Sequence, residues 1–373
     1  MTSGKPTRVL ELDGLRGCAS LSVLLFHCIV EMYGRLWPEL HNFWSAALLD
    51  GGVAVSVFFL LSGDALASAF FTTGTPAPID RLLVKRYFRL TVPILASCLL
   101  VFLIRVLGFD YHVIAAQLVD RSDWLGSFLA FEPTVFNLLR YALLDVYTSH
   151  RATTSYNPML WTMAVEMIGS MLVFLTCYLW PRLRHPRVIV LGIATFLFAC
   201  ASSYSLFFLG LLIAEARSNG MLAALRMKRS FRTSALATAV LSFVTLGLLR
   251  SHALPQHFYF LCAMSLVWAC HLLSPLRNFL RSKPLVLLGA ISFPLYLTHF
   301  AVLISLTSWL TIYVFDARDT LSKTVIMLLV AVSVVASLVV AMLFRLFERI
   351  ALRYCDRIAT LSLRGKESKS EAA

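Results

Sequence analysis

Residues 285–312 read LVLLGAISFPLYLTHFAVLISLTSWLTI and contain no Asp, Glu, Lys or Arg. A helix rises ~1.5 Å per residue, so ~20 apolar residues cross a hydrocarbon layer of ~30 Å, and this stretch is longer. Nine further apolar runs, a few of them short, lie near 12–33, 51–71, 91–108, 158–180, 188–203, 204–216, 233–250, 257–274 and 321–345. The sequence therefore predicts an all-α polytopic membrane bundle of about ten transmembrane helices.

The composition supports a membrane protein. Of the 373 residues, 59% are hydrophobic and only 14% are charged, with a mean hydropathy of +0.78. A soluble core of this length cannot bury so much apolar surface. The longest hydrophilic segment, 109–157, is interrupted by an apolar run at 135–144, so we predict no separate soluble domain. We expect this segment to lie outside the membrane, where it can cover an opening of the bundle.

The chain is predicted to form one membrane domain over residues 1–357, followed by a disordered cytosolic tail over 358–373. The tail prediction rests on its polar composition. No small-residue cleavage site follows the first apolar run, so we expect the N-terminus to be retained. The eight cysteines form no C-x-x-C pair and have no histidine at ligand spacing, which favours neither disulfides nor a metal site.

The formal net charge of +13 reflects topology, not nucleic-acid binding. With the N-terminus in the cytosol, 24 of the 33 Lys and Arg fall in cytosolic segments and seven in outer loops. This asymmetry is typical of the positive-inside rule, with an even number of spans and both termini cytosolic. We therefore predict a multi-pass protein of the cell membrane, with membrane lipids and not nucleic acid as its surroundings.

Two ionisable residues share one face of the first predicted helix. Arg16 and His27 are eleven residues apart, which is three helical turns plus about 20°, and a rise of roughly 16 Å. Intramembrane ionisable groups are costly and usually functional. The two residues predict a polar track from the cytosolic rim to beyond the midplane. The alternative is that Arg16 extends to the interface and that His27 is merely hydrogen-bonded inside the bundle.

The second predicted helix carries Ser62, Gly63 and Asp64 in a bulky apolar run. Small residues permit close helix packing, which alone explains Ser62 and Gly63. A carboxylate at this depth must pair or take up a proton, and Arg16 is a possible partner of Asp64. Arg86 and Arg89 lie three residues apart, on one face of the next helix, where both guanidinium groups can bind phosphate oxygens. The alternative is that these arginines only set the topology.

Glu166 lies about eight residues below Asn157-Pro158, a pair that predicts the start of the fourth span. This brings Glu166 near the level of His27, where an acid can orient an imidazole, although a structural salt link is the competing interpretation. In the ninth span Ser292, Tyr296 and His299 share one face near Pro294. Tyr296 can donate to an oxyanion, or the group can satisfy its own polar atoms.

These residues, in this order, resemble the membrane acyltransferase-3 family. The matching blocks are Leu12 to Gly17 with His27 (the Arg-x10-His signature), Phe58 to Gly63, Arg86 to Arg89 with Pro93, Trp161 to Glu166, Ser292 to His299, and Glu348 near the end of the last span. The chain departs from the family pattern at Asp64 and Thr162, lacks the aromatics expected just after Glu166, and lacks a proline after Glu348.

The resemblance implies an enzyme that takes an acyl group from cytosolic acyl-CoA, most simply acetyl-CoA. It implies a hydroxyl acceptor such as an exported or lipid-linked carbohydrate, a cell-envelope polymer, a lipid or a macrolide-like metabolite. We predict His27, Glu166, Tyr296 and His299 as catalytic and Arg16, Arg86, Arg89, Asp64 and Ser62 as CoA-binding. A transporter or lipid flippase is the alternative class, and a non-catalytic scaffold explains the buried ionisable residues less well.

Overall fold

The computed structural model describes residues 9–249, 254–318 and 321–370, and all regular structure in these ranges is helical. The ten helices of fourteen residues or more are α1 (Leu10–Leu25), α2 (Gly51–Thr73), α3 (Ala77–Val106), α4 (Thr162–Leu179), α5 (Pro186–Ala199), α6 (Tyr204–Ser218), α7 (Arg229–Leu249), α8 (Gln256–Leu272), α9 (Lys283–Val302) and α10 (Lys323–Ser370).

Shorter helices connect them. The α-helical pieces are Phe43–Leu48, His112–Leu118, Val135–Arg140, Val146–Thr148, Met221–Met227, Ser274–Leu280 and Ser308–Arg318. Turns of 3₁₀-helix are Pro38–Leu40, Leu125–Ser127, Ala152–Thr154, Pro158–Trp161 and Trp180–Arg182, and π-helical turns are Phe26–Glu31, Tyr141–Asp145 and Leu303–Thr307. As the sequence predicts, the Asn157 side chain caps the chain at Pro158, one 3₁₀ turn before α4.

Within the described ranges, seven helices are long and apolar enough to cross a membrane, and nine if each of two bent helix pairs counts as one span. The bends lie between α6 and Met221–Met227 (77°) and between α8 and Ser274–Leu280 (95°). α5 is a further apolar helix but is shorter. The predicted all-α membrane bundle is confirmed, with its two shortest predicted runs corresponding to α5 and α6. The orientation of the termini stays a prediction.

The outer surface of the bundle is apolar. Leu103 on α3, Leu241 on α7, Val335 and Leu343 on α10 and Phe196 on α5 are all exposed. A soluble protein rarely exposes contiguous apolar surface of this kind. The surrounding solvent must therefore be hydrocarbon, and the chain is an integral membrane protein.

Helix α1 lies at the centre of the bundle, packed along α9 on one side and against α2 on the other. Two apolar cores flank it. One joins α3, α9, α10 and the segment between α3 and α4, and the other joins α2, α4, α5, α6 and α8. Two cavities lie along α1, between the two cores.

Helices α2 and α6 approach to backbone contact at two glycines. A Cβ atom added at Gly63 would collide with the Phe207 carbonyl oxygen, and one added at Gly210 would collide with that of Leu60. Because backbone atoms cannot rotate out of the way, only glycine fits at either position. This explains Gly63 as a packing residue, one of the interpretations that the sequence leaves open.

Replacing Gly210 with valine is therefore expected to reduce the yield of folded protein sharply, since overpacking against backbone costs the upper end of ~1–3 kcal/mol or more. Gly192→Val on α5 is the matched control, because a Cβ there meets nothing within 4 Å. Size-exclusion profiles of the two variants in detergent measure the effect. Equal monodisperse yields would show that α2 and α6 are not packed as described.

The backbone of α10 is helical as far as Ser370 and so continues past residue 357. The sequence places the boundary between the membrane domain and a disordered tail at that residue. The boundary stays a prediction, and residues 371–373 lie outside the described part of the chain.

Candidate active site

A first cavity of about 340 Å³, here called the basic chamber, opens beside the N-terminal half of α1. Five helices besides α1 contribute to it, namely α2, α3, α4, α9 and α10. Its ionisable lining residues are Arg16, Arg86, Arg89, Glu166 and Glu348. Three guanidinium groups face two carboxylates, so the formal charge of the lining is positive, as a site for an anionic ligand requires.

The arginines of the basic chamber are not equivalent. Arg86 donates a hydrogen bond from Nη2 to Oε1 of Glu166, and their side chains are only 10% and 13% exposed. Arg16 forms no ion pair with any described residue and is half-buried in the chamber wall. The charge of Arg16 is therefore the one most available to a ligand. Ser62 also lines this chamber, and its role in CoA binding stays a prediction.

A second cavity of about 230 Å³, here called the histidine chamber, lies toward the opposite end of the bundle. His27 lines it together with Trp161, Ser203, Gln256 and Tyr259. Gly51 and Gly52, at the start of α2, also contribute. These residues belong to the helix ends farthest from the N-terminus of α1, so the two chambers open toward opposite ends of the bundle.

The two chambers share a wall. The residues that line both cavities are Val23, Val55, Phe59, Thr162 and Tyr296. The hydroxyls of Thr162 and Tyr296 are hydrogen-bonded at 2.7 Å, and the Tyr296 hydroxyl also donates to the Met159 carbonyl oxygen. The sequence predicts one continuous polar track from Arg16 to His27. The structure divides that track at the shared wall, which includes Tyr296. Arg16 lies in the basic chamber on one side of the wall, and His27 lies in the histidine chamber on the other.

The geometry assigns the tautomers of the two buried histidines. His299 Nδ1 lies 3.0 Å from the Leu295 carbonyl oxygen, which can only accept, so this nitrogen carries the proton. In a neutral ring Nε2 of His299 is then an acceptor, and His27 Nδ1, 3.1 Å away, donates to it. The lone pair of His27 is therefore on Nε2. His299 fixes the ring of His27, as the acid of a catalytic triad does.

The sequence suggests Glu166 as the group that orients His27. In the structure the hydrogen-bond partner of His27 is His299, while Glu166 is paired with Arg86 in the other chamber. The physical reason is charge: a buried carboxylate is stabilised far more by a guanidinium than by a neutral imidazole. This agrees with the structural salt link that the sequence leaves open.

The segment between α3 and α4, which the sequence suggests can cover an opening of the bundle, contacts His27. The indole of Trp124 stacks on His27 with ring centroids 5.9 Å apart. The Arg121 guanidinium lies over the Trp124 ring, 5.2 Å from its centroid, and pairs with Glu31 at 2.6 Å. This pair holds the segment to the π-helical turn that follows α1. One face of the His27 ring is thereby covered.

Both histidines lie next to a π-helical turn. Phe26–Glu31 includes His27, and Leu303–Thr307 begins four residues after His299. A π turn accommodates one extra residue in a helix, and such turns occur frequently at functional sites. The hydrophobic pattern of the sequence gives no sign of either turn.

The structure does not bring Asp64 to either chamber. Its carboxylate is 3% exposed and lies 2.5 Å from Nη1 of Arg217, which also donates to Ser68. Asp64 therefore belongs to the contact between α2 and α6, and its partner is Arg217, not Arg16. A residue more than 150 positions away could not be paired with it from the sequence.

The remaining predicted residues lie at the chambers or beside them. Tyr296 lines both chambers, Arg86 and Arg89 line the basic chamber, and His299 lies behind His27. Sequence reasoning missed Trp124, Thr162 as a wall residue, Ser203, Gln256 and Tyr259. No group of three His, Cys, Asp or Glu within the described ranges is placed to bind a metal ion. The expectation that no metal takes part stays a prediction.

Comparison with known proteins identifies a family whose model covers the two chambers. A family model described as an acyltransferase domain, that of the acyltransferase 3 family, matches residues 9–346. No curated protein and no solved structure matches the chain. The match covers most of the 373 residues, from α1 well into α10, and includes every residue of the two chambers except Glu348. The chain belongs to the acyltransferase 3 family of membrane proteins.

Proposed function

We propose that the protein is a membrane-bound O-acyltransferase that moves an acetyl group from cytosolic acetyl-CoA to a hydroxyl on the opposite side of the membrane. The acceptor class is an exported or lipid-linked carbohydrate or a related cell-envelope polymer. The observation that carries the proposal is the pair of chambers. A positively charged cavity and a histidine-lined cavity open toward opposite ends of the bundle and meet at a wall of five side chains.

The basic chamber suits the donor. CoA is strongly anionic, and the positive-inside distribution supports a cytosolic location for the end of the bundle that carries Arg16, Arg86 and Arg89. A volume of about 340 Å³ is at the lower end for small-molecule sites. The chamber therefore holds the acetyl group and the thin pantetheine arm, while the nucleotide stays at the mouth, where Arg16 and Arg89 meet its phosphates.

The histidine chamber suits the acceptor. Gln256, Ser203 and Tyr259 offer amide and hydroxyl groups of the kind that bind sugar hydroxyls, and Trp161 offers an aromatic face. In a direct transfer, His27 Nε2 takes the proton of the acceptor hydroxyl while the hydroxyl oxygen attacks the thioester carbonyl carbon. The CoA sulfur then leaves as thiolate and receives that proton from His27, giving the acetyl ester and free CoA.

A covalent route uses the same lone pair. His27 Nε2 attacks the thioester carbonyl, CoA leaves as thiolate, and the acetyl group is carried on the imidazole until the acceptor oxygen displaces it. The hydroxyl proton ends on the CoA sulfur, so the overall reaction is unchanged. Both routes require Nε2 unprotonated, which is the state that the bond from His27 Nδ1 to His299 supplies.

Tyr296 lies where the two substrates must meet. Its hydroxyl is hydrogen-bonded to Thr162 and Met159 across the shared wall, so the thioester reaches His27 only when this contact opens. Once released, the hydroxyl is free to donate to the oxyanion that forms on the thioester carbonyl. Tyr296 thus combines the closing of the wall with stabilisation of the tetrahedral intermediate.

The proposal is tested with membrane vesicles that contain the protein. Inside-out vesicles expose the cytosolic face, so acetyl-labelled acetyl-CoA added outside is expected to label glycans or lipids, and right-side-out vesicles from the same cells are expected to remain unlabelled. Vesicles without the protein are the control. CoA-independent movement of substrate, with no acetyl transfer in either preparation, would instead indicate a transporter.

A further inference from the structure

A third cavity, an apolar groove of about 660 Å³, lies on the outside of the bundle away from both chambers. It is formed by α6, the short helix Met221–Met227, α7 and α8. Leu241, Leu261 and Met221 line it and are more than half exposed, so the groove opens sideways toward the surrounding hydrocarbon. Its few hydroxyls include Ser242 and Ser265, which are hydrogen-bonded to each other at 2.8 Å. The groove therefore offers its occupant almost only van der Waals contact, as an alkyl chain requires.

One end of the groove meets a cluster of ionisable residues, here called the arginine cluster: Arg226, Arg277 and Arg281 with Glu11 and His271. Glu11 pairs with Arg281 at 2.9 Å. Arg226 donates to the His271 carbonyl oxygen at 3.1 Å and lies within electrostatic reach of Arg277, Arg281 and Glu11. Three guanidinium groups share one carboxylate, which leaves a formal charge of +2.

The arginine cluster has unused hydrogen-bonding capacity. Arg277 and Arg226 form no ion pair with a residue in the described ranges. The Nε atom of Arg277 and the Nε2 atom of His271 are both buried without a hydrogen-bond partner there, and His271 as a whole is 2% exposed. Buried polar atoms in proteins are nearly always satisfied, so two together indicate that a ligand completes the site.

The groove and the arginine cluster are continuous along two helices. On α8, Met264 and Trp268 line the groove, and His271 follows on the same face at the spacing of a helical turn. On the short helix, Leu222 and Leu225 line the groove, and Arg226 comes next. An alkyl chain that fills the groove thus ends at the guanidinium groups.

We propose that the groove and the arginine cluster together bind one anionic phospholipid, with an acyl chain in the groove and the phosphate at Arg226 and Arg277. The positive-inside distribution places this end of the groove in the cytosolic leaflet. The site is separate from the proposed donor site, because Glu11 and Arg16 lie about 140° apart around α1. Glu11 faces the cluster and Arg16 faces the basic chamber.

The test uses the full-length protein, delipidated in detergent, with phosphatidylglycerol or phosphatidylcholine of identical acyl chains. Phosphatidylglycerol is expected to raise the midpoint of thermal unfolding by about 4 °C and phosphatidylcholine to leave it unchanged, since a ligand that binds only the folded state stabilises it. Arg277→Gln is expected to abolish the shift. Arg229→Gln, the same charge change at an exposed residue, is expected to retain it.

Two further arms separate the alternatives. Leu261→Trp fills the groove without touching a charge, and native mass spectrometry is expected to show fewer bound phosphatidylglycerol molecules than in wild type. This measurement also stands if Arg277→Gln does not fold. Equal stabilisation by inorganic phosphate at the same concentration would mean a site for a simple anion, and equal stabilisation by phosphatidylcholine would mean a groove without headgroup recognition. Either result would overturn the proposal.

Discussion

Replacing His27 with alanine is expected to lower acetyl transfer by about 10²–10⁴-fold, the usual contribution of a positioned general base. The loss should appear in the turnover rate and not in the apparent affinity for acetyl-CoA, because His27 lines the histidine chamber and the proposed donor site is the basic chamber. Transfer of labelled acetyl in vesicles with matched protein levels measures both quantities. His185→Ala, at an exposed histidine before α5, is the matched control and should transfer at the wild-type rate.

The same assay distinguishes the roles of the two histidines. Of the two ring nitrogens of His27, Nδ1 is the one hydrogen-bonded to His299. His299→Phe therefore removes the acceptor that sets the tautomer but leaves the reacting nitrogen, Nε2, in place. We expect a smaller loss than for His27→Ala, because the His27 ring is then free to carry its proton on either nitrogen and only one of the two tautomers leaves the Nε2 lone pair available. Equal transfer by wild type and His27→Ala would reject the assigned role of His27.

Of the substitutions at the residues of the basic chamber, one that breaks the ion pair between Arg86 and Glu166 is expected to lower the stability of the protein most. Arg86→Met leaves the Glu166 carboxylate without its guanidinium in a site where both side chains are almost buried. Removing one partner of a buried pair costs about 3–5 kcal/mol, mainly because the remaining charge is uncompensated. The midpoint of thermal unfolding in detergent should fall accordingly.

The double variant Arg86→Met/Glu166→Met separates folding from ligand binding. It removes both charges, so stability should return close to that of wild type. The KM for acetyl-CoA should nevertheless rise about tenfold or more, since a hydrogen bond from the Arg86 guanidinium to an oxygen of the acetyl-pantetheine arm is lost. The control is Arg187→Met/Glu215→Met, an ion pair outside both chambers, which should leave KM unchanged. An unaltered KM in the first double variant would confine Arg86 to a structural role.

Much of the architecture could be predicted from apolar run lengths alone. The run near 51–71 is α2 (Gly51–Thr73), and the run at 233–250 is α7 (Arg229–Leu249). Asn157-Pro158 correctly predicts where the fourth span begins, because an N-cap and a proline act locally. The length of a run does not say whether a helix bends, and the breaks after α6 and α8 went unpredicted.

The sequence predicts which residues line the candidate site better than it predicts which of them contact each other. Helical periodicity places Arg16 and His27 on one face, and both do line cavities that share a wall. Partner choice is a different matter, because it depends on tertiary packing between distant helices. Asp64 meets Arg217, Glu166 meets Arg86 and His27 meets His299, and only the order of motifs, not their pairing, is present in the sequence.

The division into two chambers also lies beyond the sequence. It depends on how the rings of Phe59 and Tyr296 are turned and on one hydrogen bond to Thr162. Trp124 is another example, because the segment that carries it has no periodic pattern that would aim an indole at His27. Such features follow from side-chain packing, which a single sequence does not determine.

The stacking of Trp124 on His27 limits the directions from which a large molecule can approach the imidazole. The indole covers one face of the ring and is held to the π-helical turn after α1 through Arg121 and Glu31. If the acceptor is a bulky polymer or glycolipid, as proposed, its way to the imidazole is the side near Ser203 and Gln256. The short bend between α5 and α6 and the first turn of α8 would then determine which acceptors bind. In the proposed reaction, the long segment between α3 and α4 would instead keep bulk water from hydrolysing the acetyl donor.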